Sequence, residues 1–317
     1  MRVYTPMSRK RPIAAWLAVL AATSGLLACG GDDSSGTAPA AKPAQDVATL
    51  ARQAFGPNRK AARGRIDGHI DITVKGARGF GEPVRLAMSG PFRARPGSAL
   101  PDYAIDLSAG DQGVGLHSVQ GRSFVSLGTT GYEIPARIRR RLARSAARGR
   151  NGLTRVLEQF GIAPWRWETN KRVGATERIG GVETVRVDTG VDVARFLRDA
   201  NTFGDVLGSL GLARANGLPS KIPRAARRAL AASVRDAKGA SWIATSDKVM
   251  RKAGLTIDFA VSPARRRALG GISSVKVVAE VLVTEVGARQ RIERPRSLAP
   301  FASLQQAFDA LAESVGG

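Results

Sequence analysis

The sequence predicts an α+β protein, a curved antiparallel sheet with helices on its concave face. Three observations carry that prediction. Apolar and polar residues alternate at period two over several stretches between positions 65 and 286. Those stretches follow one another closely, with glycine-containing turns between them, as in an antiparallel meander. Helix-periodic stretches lie between groups of strands, too irregularly spaced for β-α-β units.

The segment 46–55 opens the folded part. Val47, Leu50, Ala51, Ala54 and Phe55 share one helical face, and Asp46 stands where an N-cap would. Over 65–76 the period changes to two, with Ile66, Ile70, Ile72 and Val74 on one face and Asp67, His69, Asp71 and Lys75 on the other. Such a strand has one face covered and one wet. Residues 83–94 repeat the pattern, Tyr103, Ile105 and Leu107 mark a third strand, and 114–119 and 123–127 make a hairpin about Gln120-Gly121.

The middle reads as helical. Pro135 suits a helix start. Residues 136–148 then carry Arg137, Arg139, Arg140, Arg141, Arg144 and Arg148, and 152–160 buries Leu153, Val156, Leu157 and Phe160. Strands are expected at 171–178 and 181–188, helices at 190–200, 201–213 and from Pro223 to Ala237, and a hairpin of 240–246 with 253–262. A long strand at 272–286 and a short amphipathic helix at Leu304, Phe308 and Leu311 complete the chain.

The N-terminus reads as an export signal. Arg2, Arg9, Lys10 and Arg11 precede an apolar run from Ile13 to Leu27, too short for the roughly 20 residues of a bilayer span. The run ends in Leu26-Leu27-Ala28-Cys29, a bacterial lipobox. Cleavage before Cys29 would leave that cysteine to carry lipid, and acyl chains on one residue give stable anchoring. Cys29 is the sole cysteine, so no disulfide forms within the monomer. The expected organisation is a lipoprotein signal peptide over 1–28, a flexible tether rich in Gly, Ser, Ala and Pro over 29–45, and one domain over 46–317. The expected location is the extracytoplasmic face of the cell membrane, lipid-anchored.

The formal charge is +23, with 39 arginines against 10 lysines. Such a balance reads as attraction to anionic headgroups or acidic glycans, or as the bias of an Arg-, Ala- and Gly-rich composition. An exported domain meets no nucleic acid. His69 and His117 have no partner at metal-ligand spacing, and Gly110 to Gly115 lies between strands, so it reads as a hairpin turn and not a phosphate loop. No Gly-x-Ser-x-Gly elbow is present, and the chain is expected to be no enzyme and to use no cofactor or metal. A hydrolase would need His69 or His117 to meet a serine or carboxylate in a pocket.

Three stretches carry a resemblance. They are Thr176-Glu177-Arg178-Ile179-Gly180-Gly181-Val182-Glu183-Thr184 with Val191-Asp192-Val193, then Ser241-Trp242-Ile243 through Asp247-Lys248 to Lys252, then the strand 272–286. With the lipobox and the first helix, the chain resembles the LppX/LprG-type lipoproteins of actinobacteria, which share the fold of the carrier LolA and the sensor RseB. The resemblance implies an open antiparallel half-barrel whose apolar face takes the acyl chains of a membrane lipid or lipoglycan. The residues it points to are Ile70, Ile72, Val74, Leu86, Met88, Ile105, Leu107, Ile257, Phe259, Val277 and Val281. Alternation alone equally fits a filled core, as in a non-carrier envelope sensor or scaffold with a protein partner. The basic stretch 136–152 and the polar stretch 214–225 depart from the family pattern.

Overall fold

The computed structural model describes residues 47–58, 60–76, 83–109, 112–209 and 221–315. Helix α1 (Val47–Phe55) precedes six strands: β1 (Arg63–Lys75), β2 (Val84–Arg93), β3 (Asp102–Ala109), β4 (Gln112–Val119), β5 (Arg122–Leu127) and β6 (Thr130–Glu133). Helices α2 (Ala136–Ala146) and α3 (Gly152–Gln159) lead to β7 (Glu168–Ile179) and β8 (Val182–Val191). Then come α4 (Val193–Ser209), α5 (Arg224–Ala231), β9 (Val234–Ala244), β10 (Met250–Ala260), α6 (Pro263–Arg266), β11 (Ser274–Thr284), β12 (Ser297–Ala299) and α7 (Leu304–Val315).

All twelve strands form one open sheet in the order β12-β6-β5-β4-β3-β2-β1-β11-β10-β9-β8-β7. It is two meanders, β1–β6 and β7–β11, joined where β1 pairs antiparallel with β11, from Arg65↔Thr284 to Lys75↔Ser274. The α+β class and the open antiparallel sheet expected from the sequence are what the chain adopts. The segment holding α2 and α3 crosses from β6, near one edge, to β7 at the other.

One face of the sheet meets the helices. Ile66, Ile70, Ile72 and Val74 of β1 and Val275, Val277, Ala279, Val281 and Val283 of β11 are buried, as the period-two pattern requires. They form one cluster with Leu142 of α2, Leu153, Val156 and Leu157 of α3, and Phe196, Leu197 and Phe203 of α4. Each such side chain contributes about 1.5–3 kcal/mol of transfer free energy. Helix α1 docks differently: Leu50 and Ala54 pack with Val187 and Ile243 in a small separate cluster.

The opposite face carries a polar ladder. Trp242 lies between the Arg186 guanidinium, 5.4 Å from its ring centre, and the Lys252 ammonium at 5.0 Å, and its indole donates to Glu177 Oε2 at 2.9 Å. Two stretches that carry the family resemblance, 176–184 and 241–252, therefore meet in space through Glu177 and Trp242.

Some elements differ from expectation. One helix, α4, runs where two were expected at 190–200 and 201–213, and residues 210–220 lie outside the described set. The helix expected to reach Ala237 stops at Ala231, and β9 starts at Val234 because that residue pairs with Phe259 of β10. Strands β6 and β12 were not expected. Both are short, and β12 runs parallel to β6, with Ser297 opposite Thr130. Asp46, Gly110 and Asp111 lie outside the described residues, although Ala109 pairs with Gln112 across that turn.

Candidate functional site: an apolar pocket with one carboxylate

A pocket opens between the helices and the β8–β11 part of the sheet. Small residues make the room: Gly239 and Ala240 on β9, Ala253 and Gly254 on β10. Leu153 and Leu157 of α3 close it from the helix side. Its outer rim is Phe55, the last residue of α1, against Trp165, with ring centres 5.7 Å apart. The cavity volume is about 40 Å³. That holds about three water molecules and lies far below the roughly 300–1,000 Å³ of ordinary ligand pockets.

The two tryptophans that follow Pro164 have different jobs. Trp167 is fixed: its ring packs edge-on against Phe196 at 5.1 Å, and its indole donates to Asp199 Oδ2 at 2.8 Å. The same Asp199 oxygen accepts from the Ala163 main chain at 3.0 Å. Burial still holds the Asp199 carboxyl above the usual range, against the pull of those two donors and of Arg166 and Arg198. Trp165 is only partly buried and rests on Phe55.

The polar end of the pocket is Glu168. Its carboxylate meets Lys171 Nζ at 2.6 Å and accepts from Ser241 Oγ at 3.2 Å. Burial raises its pKa more than the lysine and serine lower it. A carboxylate poised this way can hold a proton or bind a hydroxyl in an otherwise apolar wall.

Of the eleven residues that the resemblance points to, Val281 lines this pocket. Ile70, Ile72, Val74, Ile105, Ile257, Phe259 and Val277 are buried in the main core, and Leu86, Met88 and Leu107 pack against its edge. Sequence reasoning did not single out Phe55, Trp165 or Glu168 for the pocket. The signal lay in Trp165-Arg166-Trp167-Glu168, an aromatic pair followed at once by an acid at a strand start. Cys29 lies outside the described residues.

The histidines separate. His69 is half-buried, 3.8 Å from Asp71. His117 Nε2 lies 2.9 Å from Ser126 Oγ, a contact not foreseen from sequence. Gly115 makes it possible, since a Cβ there would stand 2.1 Å from Ser126 Oγ and 2.7 Å from His117 Nε2. The same point is 3.3 Å from Asp106 Oδ1, so the carboxylate stands on the serine side of the imidazole. A nucleophile–base pair is oriented by a carboxylate at the other nitrogen, whereas His117 Nδ1 is buried with no hydrogen bond of good geometry and has the Glu293 main chain near the ring. Among the described residues no group of three or more His, Cys, Asp or Glu is placed to hold a metal ion. Among them, too, no helix is long and apolar enough to cross a membrane.

The chain is thus of a class with an open antiparallel sheet, helices over one face, and an apolar pocket between the two. No family profile and no curated protein matches it. Solved structures do match, with low superposition scores. LppX from Mycobacterium tuberculosis superposes with a TM-score of 0.38 at 16% identity, over 78% of this chain and 100% of that one. LprF from Mycobacterium bovis gives 0.37 at 11% identity, over 78% and 95%. A LolA superfamily protein from Nitrosomonas europaea gives 0.22 at 8% identity, over 78% and 96%.

Proposed function

We propose that this is an extracytoplasmic lipoprotein, held to the membrane by lipid on Cys29, that takes an acyl chain of a membrane lipid or lipoglycan between its helices and its sheet. The observation that carries the reading is the pocket under Phe55 and Trp165. Its walls come from α3 and from small residues of β9 and β10, and its polar end is the Glu168–Lys171 pair. Each methylene buried there gains about 0.8 kcal/mol. The pocket is small as folded, so binding requires its rim to move. Helix α1 is suited to that: it is held by a cluster of four buried residues and by the Asn151 amide, which donates to the carbonyls of Ala54 and Gly56 at 3.3 and 3.0 Å.

The test is mass spectrometry of the protein purified from its native membrane in mild detergent. Co-purifying lipid, reduced when Ala253 is replaced by Phe to fill the pocket, supports the reading. A lipid-free protein, unchanged by that substitution, removes it. The mature mass reports lipid on Cys29 separately.

A second reading has an observation of its own. Ten of the eleven residues that the resemblance marks for a cavity lie away from this pocket, in or against the packed core. On that reading the sheet is a filled scaffold, and the function is contact with an envelope protein. Crosslinking in cells with a defined protein product and no bound lipid would favour it.

A further inference from the structure

Between Glu133 and Glu158 the chain has eight arginines and no acidic residue. The two flanking acids are already engaged. Glu133 pairs with Arg122 and, at 3.5 Å, with Arg139. Glu158, whose carboxyl burial pushes up, meets Arg148 at 3.4 Å and Arg166 at 2.7 Å. Arg155 donates to the Gly149 and Ser98 carbonyls, and Arg150 lies past the end of α2. Arg137, Arg140, Arg141 and Arg144 remain on the helix. All four are exposed, and none has an ion pair among the described residues. Their spacing is i, i+3, i+4, i+7, which gathers them in one arc roughly 100° wide on α2. Leu142 and Ala146 occupy the other side and are buried.

Like charges at these spacings weaken a helix. The stripe is therefore tolerated through the packing of Leu142 and Ala146 and meets no carboxylate among the described residues. Its place in the fold suggests what it faces. Asn151, just past α2, bonds the end of α1, and Asn58 Nδ2 donates to the Asp247 carbonyl in the β9–β10 hairpin at 3.0 Å. The β-ladder rows Arg63↔Arg93, Arg93↔Asp102 and Phe124↔Glu133 put the start of α2 at that same end of the sheet. Another arginine cluster, Arg265, Arg266 and Arg267, follows the far end of β10, eleven residues or ~36 Å away. So the stripe stands at the end of the sheet where α1 is fixed, and α1 is the element that the Cys29 tether enters.

We infer that the arginine stripe of α2 is a docking surface for a bilayer rich in anionic phospholipid headgroups, and that it sets which end of the sheet faces the membrane. The inference uses the anchor reading for proximity only. Each arginine near such a surface strengthens association roughly fivefold, within a Debye length of about 8 Å.

The test is arginine footprinting with a dicarbonyl reagent. The full lipoprotein is reconstituted into phosphatidylcholine vesicles, with and without phosphatidylglycerol, and read by mass spectrometry at each position. The expected result is labelling several-fold slower at Arg137, Arg140, Arg141 and Arg144 on the anionic vesicles alone, restored by high salt. Arg235, next to the Val234↔Phe259 row at the far end of the sheet and with its side chain 71% exposed, serves as the unchanged control. Arg63 and Arg150, exposed at the same end, should be protected with the stripe in the native chain and lose that protection in the variant R137Q/R140Q/R141Q/R144Q. That variant removes repulsion and is expected to fold with an unaltered circular-dichroism spectrum and at least equal melting temperature. Equal labelling on both vesicle types, or protection at Arg265 to Arg267 instead, overturns the inference. A chain that leaves phosphatidylcholine vesicles yet is protected on anionic ones keeps the stripe and loses the anchor.

Discussion

The imidazole of His117 and the hydroxyl of Ser126 are hydrogen-bonded at 2.9 Å across two neighbouring strands, over a glycine that has no side chain to separate them. Burial lowers the His117 pKa, while Asp106 and the Glu293 main chain pull it the other way. The folded value therefore lies below the unfolded value of about 6.5. Above that pH both states are neutral and nothing is lost. As pH falls from about 6.5 toward the folded value, the unfolded chain takes up the proton first and stability declines. Urea denaturation from pH 7.5 to 5.5 should show this decline in the native chain and a flatter profile in His117→Gln. Gly115→Ala should destabilise at every pH, because its Cβ has no room.

Glu168 has the opposite sign. Its carboxyl is raised by burial, so the folded state carries a desolvation penalty at neutral pH. The penalty disappears as pH falls through the folded value toward the ordinary carboxylate range near 4.3. Glu168→Gln should raise the melting temperature at pH 7, and the difference from the native chain should vanish near pH 4. Lys171→Ala should lower the melting temperature at pH 7, since the burial cost then stands unopposed.

Asn151 joins two structures. Its side-chain oxygen caps α3 by accepting from the Thr154 amide at 2.9 Å, and its amide group donates to the end of α1. Asn151→Asp keeps the first bond and loses the second, whereas Asn151→Ala loses both. The alanine variant should lose about 1 kcal/mol for the cap, and more for the α1 bonds. Hydrogen exchange should quicken over 48–56 in both variants, without a matching change in β1.

Core and rim should respond differently. Ile72 and Ile257 are fully enclosed, and truncation of either to alanine should lower unfolding free energy by about 2–5 kcal/mol. Trp165→Ala should cost less. It should, however, increase fluorescence of a polarity-sensitive apolar dye, because it uncovers the pocket that Phe55 alone then closes.

The sheet was largely legible because its strands announce themselves locally. Over 65–76 the alternation is nearly unbroken, and β1 spans Arg63–Lys75. The start of β9 was hidden because Ala231-Ala232-Ser233 continues the composition of α5, and only a partner twenty-five positions on, Phe259, makes Val234 extended. Strand β12 has three residues and pairs with β6 far back in the chain, so no local pattern marks it. The pocket was illegible for another reason. It exists where Gly239, Ala240, Ala253 and Gly254 leave space, and missing side chains have no period. His117 and Ser126 come together only once the β4–β5 register is known.

The seam between β1 and β11 joins residues more than two hundred positions apart, Arg65 to Thr284. If the chain crosses a membrane N-terminus first, β1 emerges early with one edge unsatisfied, and its partner arrives near the end of export. Such a distant pairing closes slowly, and an exposed strand edge invites pairing with other chains. For a chain exported that way, the seam makes the last stage the hazardous one. Truncations that remove β11 should aggregate, whereas losses confined to the short C-terminal helix should leave the two meanders joined.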